Sequence, residues 1–201
     1  MANENRPCGL RPISQPYGAV RASVYKAVTG AAIYMFSPVD QNATGYVELA
    51  TAGSGNRIVG SVIGMLNGFF GPIDKAAGYI PTNPVAGEVD SDGYMNVIVA
   101  DDPDQEFLVA EAGTGTALTA AARHAGINFY STTTGNTRSG VSMANVDPTS
   151  LIAAGSNQQL RLIDKIDKLD NAFGAYCMWR CRIYMHRFSC PTQGAGNGTT
   201  V

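Results

Sequence analysis

The chain has 201 residues, of which 45% are hydrophobic, only 15% are charged and 23 are glycine, against about 25% charged in an average domain. A net charge of −2 gives no overall basic field for nucleic acid, and no apolar run reaches the roughly 20 residues that span a bilayer. The polar start Met1-Ala2-Asn3-Glu4-Asn5-Arg6-Pro7 lacks the pattern of a secretion leader, so the expectation is a soluble protein made in a cytoplasm, its four cysteines reduced.

Residues 1–18 hold Pro7, Pro12 and Pro16 with Gly9 and Gly18, which excludes a long regular element. They read as an extended N-terminal arm carrying Arg6 and Arg11, either disordered or laid against a partner. From Ala19 the pattern alternates: Val20, Ala22, Val24 and Lys26 against Arg21, Ser23, Tyr25 and Ala27, then Ile33-Tyr34-Met35-Phe36. Residues 57–64 read as a buried strand with closely packed glycines, and 65–92, with Pro72, Pro81 and Pro84, as a long loop. Tyr94 to Ala100 is β-rich, Asp101-Asp102-Pro103-Asp104 is a turn, and Glu106 to Ala110 returns as the second arm of a predicted hairpin. Ala117 to Ala125, stopped by Gly126, predicts a short helix. Residues 131–140 are polar loop, and Asp147-Pro148 predicts an N-cap and first helical position for one turn through Ile152. Gln159 to Ile166 and Tyr176 to Phe188 are the closing strands, and 191–201 a flexible tail. The expected fold is mainly β: a single β-barrel or β-sandwich domain over 19–190 with one or two short helical turns, in which 113–156 is a candidate loop or knob insertion.

Motifs for chemistry are weak. Cys177, Cys181, His186 and Cys190 have a superficial zinc-knuckle spacing. On one strand, however, Cys177 and Cys181 stand about 13 Å apart and His186 faces the other way. Packed thiols are the favoured reading. Glu88-x-Asp90-x-Asp92-Gly93 opens like a calcium loop, but Val99 stands where the bidentate Glu belongs. A turn is favoured, and Asp101, Asp102 and Asp104 keep a loose cation site open. The glycine stretches 53–58 and 113–116 lack a dinucleotide or phosphate fingerprint. His124 and His186 have no nucleophile elbow or metalloprotease helix beside them. The sequence therefore calls for no catalytic residue, cofactor or metal.

The last strand says most about binding. Cys177, Trp179, Cys181, Ile183 and Met185 form a core face. The other face carries Tyr176, Met178, Arg180, Arg182, Tyr184, His186 and Phe188. Arginines among aromatics suit a protein interface, a single-stranded nucleic acid in second place, or a plain solvent face. Nine acidic residues between Asp74 and Glu111, and six basic ones between Arg161 and Arg187, either orient the chain on a charged partner or pair with one another.

In these residues the chain resembles the small head proteins of tailed bacteriophages that decorate or cement the capsid. The matching pieces are Gly9-Leu10-Arg11-Pro12, the strand Ile58 to Gly64 and the run Tyr94 to Phe107, whose Val-Ala-Asp-Asp-Pro-Asp stretch is the most specific. Further on come the loop Thr132 to Gly140, Leu160 to Asp164 through Asp170-Asn171, and Trp179-Arg180-Cys181-Arg182-Ile183. The resemblance implies a non-enzymatic virion protein on the outer capsid surface. Its partner would be the major capsid protein, it would form a homo-oligomer, often a trimer, and it would need no nucleic acid, membrane or cofactor. Arg6, Arg11, Arg180, Arg182 and Tyr184 are the expected contacts. The alternatives are a tail, head-fibre or receptor-binding component, the shell subunit itself, and a small hydrolase or metal enzyme on a β-barrel.

Overall fold

In the computed structural model, which describes residues 3–13, 18–73, 78–152 and 157–188, the chain is mainly β. In order the strands are β1 (Arg11–Pro12), β2 (Ser23–Ala27), β3 (Ile33–Tyr34), β4 (Pro38–Gln41), β5 (Val47–Leu49), β6 (Gly60–Leu66), β7 (Tyr79–Ile80) and β8 (Met95–Ala100). Then follow β9 (Glu106–Glu111), β10 (Gly126–Ile127), β11 (Phe129–Ser131), β12 (Gly135–Asn136), β13 (Val141–Ser142), β14 (Asn145–Val146), β15 (Leu160–Lys165) and β16 (Met178–Ile183). Helical structure among the described residues is two 3-10 turns, Ala120–Ala122 and Pro148–Ser150.

The first half closes into a barrel in the order β2-β5-β4-β6-β8, in which only the β2–β5 pair is parallel. Its lumen is filled by Val39, Val47, Val62, Val97 and Val99 with Met95, all fully buried, because β-branched side chains suit the narrow interior of a small barrel. Gly60 is obligatory where β6 meets β8, since a Cβ there would overlap the Ala100 carbonyl.

The second half forms a sheet in the order β10-β15-β16-β9-β14-β11, with β1 also on β9. Its inner face buries Phe107, Val109, Leu160, Leu162, Trp179 and Cys181 completely. Each such large apolar side chain contributes about 1.5–3 kcal/mol by leaving water. After β16 the chain bridges back to the barrel. Ile58 pairs with His186 in parallel, and Arg187 binds the Asp40 carboxylate on β4 through Nε at 2.6 Å and through a second contact from Nη2.

Several expectations are corrected. The hairpin over 94–110 does not form: β8 pairs with β2 and β6, whereas β9 pairs with β1, β14 and β16. The Asp101–Asp104 turn is instead the crossover between barrel and sheet, held by Asp102 Oδ1 accepting from Asp104 N–H at 2.9 Å. The Ala117–Ala125 helix shrinks to one 3-10 turn. Of the run Ala120 to Arg123 only Ala122 is buried, so no apolar stripe repays a longer helix. The last strand ends at Ile183, not Phe188, and the segment read as loop contains the end of β6 and β7, which pairs with β3. The N-terminal arm, over residues 3–13, lies on its own chain. Leu10 is fully buried, its N–H donates to Phe36 O at 2.8 Å, and β1 covers the edge of β9, the usual remedy for an open edge. The expected tail lies outside the described residues.

Candidate functional site

Three of the five expected contact residues converge. Arg11 on β1 and Arg180 on β16 flank Leu108 of β9 from its two edges, and Asp164 of β15 completes the row. One pair along, Arg182 stands between Glu106 of β9 and Arg161 of β15. Directly opposed residues project to the same side of a sheet, so the four arginines share the face opposite Trp179 and Cys181. Glu106 accepts from Arg182 at 3.0 Å and lies 3.6 Å from Arg180, so one carboxylate serves two guanidinium groups. Arg11 is exposed, its guanidinium 5.8 Å from the Phe36 ring centre, and Arg161 is exposed as well. The acidic and basic segments thus pair in part inside the fold and leave a surplus of positive charge on this face. Arg161 was absent from the expected contacts although the alternation of 159–166 contained it.

Arg6 and Tyr184 do not join this group. Arg6 pairs with Glu4 on the exposed arm. Tyr184 lies past the end of β16, half-buried, with its backbone N–H on Gln159 O at 2.8 Å.

A second surface feature is an apolar turn after β6. Asn67 Oδ1 accepts from Phe69 N–H at 3.0 Å and Gly71 N–H at 2.7 Å, and Phe70 N–H donates to Asn67 O at 3.1 Å. Gly68 N–H reaches Glu88 O at 2.6 Å, and the Asn96 amide holds Asn67 O at 2.9 Å. Phe70 has a left-handed backbone, φ 62°, a strained state kept only by such bracing. The turn holds Phe69 and Phe70 outward, 66% and 65% exposed. Two neighbouring phenylalanines so exposed make an apolar patch on the surface. The Gly-Phe-Phe-Gly run carries no strand or helix period, which is why the loop reading passed over it.

The candidates for chemistry occupy structural places. Burial pushes the Cys177 thiol up to about 12 and raises Cys181 as well, so neither is a ready thiolate at neutral pH. Among the described residues no cluster of three His, Cys, Asp or Glu could hold a metal ion; Cys190 lies outside them. His186, expected on the open face, is fully buried because the strand alternation stops at Ile183. His124 is exposed, with φ 62°, beside the alanine turn. Asp90 binds Lys26 at 2.7 Å and accepts from Asp92 and Tyr94 N–H groups at 3.0 and 2.9 Å. That is turn chemistry, and it holds the Asp90 carboxyl below its ordinary value.

One buried carboxylate was not foreseen. Glu111, 1% exposed, accepts from Leu118 N–H at 3.0 Å and from Trp179 Nε1 at 3.4 Å. Burial raises its pKa. It pins the 112–118 segment to the sheet core.

No family model, curated protein or solved structure matches this chain. Among the described residues no helix is long and apolar enough to cross a membrane. The functional reading rests on the surfaces themselves: an arginine-rich sheet face and a braced pair of phenylalanines.

Proposed function

We propose that the chain is a structural protein of a tailed-phage particle that binds the outer surface of the assembled capsid and stabilises it, with the major capsid protein as partner and as a homo-oligomer, a trimer being favoured. The observation that carries this reading is the braced Phe69–Phe70 turn. Burying both rings in a partner contributes about 3–6 kcal/mol before association costs. A turn already fixed by its own hydrogen bonds loses little entropy on docking. The arginine face of β1, β9, β16 and β15 adds orientation on an acidic shell surface, a role in which charge sets register and on-rate more than affinity. A chain that binds the expanded lattice and not its precursor stabilises the mature state by mass action.

The test is co-sedimentation of the full chain with expanded and unexpanded shells that lack it. Saturable binding to expanded shells alone is the expected result. A chain that stays in the supernatant with both shells contradicts the proposal.

A further inference from the structure

A cleft of about 630 Å³ opens beside the arm residues Asn5 and Pro7, between the 112–114 segment and strands β11, β12 and β14. That volume lies within the roughly 300–1,000 Å³ of small-ligand sites. Three tyrosines line it, Tyr34, Tyr130 and Tyr176, and no charged residue does. Two of the rings are held by glycines: a Cβ at Gly135 would overlap the Tyr34 ring, and one at Gly113 the Tyr176 ring. Tyr34 also stacks with Tyr79, with centroids 4.9 Å apart and planes 19° apart. Tyr176 has a left-handed backbone, φ 63°, a costly state for an aromatic residue and one that clusters at ligand sites. Tyr130 stays 55% exposed. Around these rings stand Ser131, Thr133, Thr134 and Asn145, whose side chains make no hydrogen bond with another described residue.

We propose that this cleft binds a neutral saccharide. A pyranose ring has an apolar C–H face whose hydrogens carry partial positive charge. They stack on the electron-rich face of an aromatic ring, the role of Tyr130 and of the open side of Tyr176. The sugar's rim of hydroxyls both gives and accepts hydrogen bonds, and so do the hydroxyls and amide that line the cleft. Phosphorylated or carboxylated ligands would need the guanidinium or ammonium groups that this lining lacks. The inference rests on the cleft alone and stands apart from shell binding.

Saturation-transfer-difference NMR on the full chain tests it, with maltotriose and chitotriose as neutral probes, sialyllactose as the charged one, and a synthetic peptide copying residues 3–13. Transfer to the ring C–H protons of a neutral trisaccharide is expected, with a dissociation constant in the millimolar range. Binding should weaken roughly tenfold in Tyr130→Ala and by a smaller factor in Thr133→Val. Tyr130 is exposed, so the Ala variant should keep the wild-type melting temperature. Three results would overturn the proposal: no transfer to either neutral sugar, undiminished binding in both variants, or transfer to sialyllactose or the peptide alone.

Discussion

His186 shows how a single side chain records the joining of barrel and sheet. Its imidazole is fully buried and accepts from Phe188 N–H at 3.1 Å. Burial lowers its pKa below 6.5, while the Val59 and Asp101 backbone and the Asp101 and Asp102 carboxylates oppose the shift less strongly. In the unfolded chain this imidazole takes a proton below about pH 6.5, whereas the folded one stays neutral to lower pH. The unfolded state then binds more protons, so stability present above that value is lost as pH falls. The thermal midpoint should drop between about pH 7 and about pH 5, and drop less in His186→Gln; parallel curves would contradict this. At Glu111, replacement by Ala leaves Leu118 N–H and Trp179 Nε1 without their acceptor, and should cost about 1–3 kcal/mol in denaturant unfolding. The sequence disclosed Trp179, Cys181 and Ile183 as core because period two holds through β16. It misplaced His186 because that period ends with the strand, and Glu111 because buried carboxylates look like surface ones until their partners are known.

At the scale of elements, strand existence was easier to read than strand partnership. β8 carries the apolar run Val97 to Ala100 and β9 the apolar run Phe107 to Ala110, so neither interior shows which faces it buries or which core claims it. A short turn between them then looks like a hairpin. Only the long-range pairs, such as Tyr25 with Val97 and Phe107 with Cys181, distinguish a crossover from a hairpin. The same long-range register assembles Arg11, Arg180 and Arg182 on one face, which adjacency in sequence could not do for Arg11. Two predictions belong here. Arg187→Ala removes the clasp on Asp40 between the end of the sheet and barrel strand β4 and should lower stability by about 2 kcal/mol. The double replacement Arg11→Gln with Arg180→Gln should slow association and weaken shell binding several-fold at moderate salt while the fold survives, since Arg11 is exposed and Arg180 partly so. Unchanged co-sedimentation would remove this face from the contact.

For the whole molecule, the expectation of a mainly β barrel or sandwich holds, and within it a closed barrel and a sheet carry two apolar clusters, the second of which takes in Ala100 of β8 and packs against Ile63 of β6. The low charge and many glycines pointed to strands and turns; they carried no information on how many cores the strands divide into. The arrangement leaves the braced Phe69–Phe70 turn at the far end of barrel strand β6 and the arginines on the outer face of the sheet, two exposed surfaces of different chemistry. If both dock on one lattice, loss of the aromatic pair removes most of the affinity and loss of the arginines most of the orientation. The most direct measurement is the heat-disruption temperature of expanded shells titrated with the wild-type chain and with Phe69→Ser/Phe70→Ser. The account predicts a rise that saturates at a fixed number of copies per shell for the wild type, and at least about 100-fold weaker titration for the double variant. An unchanged disruption temperature with saturating wild-type chain would contradict it.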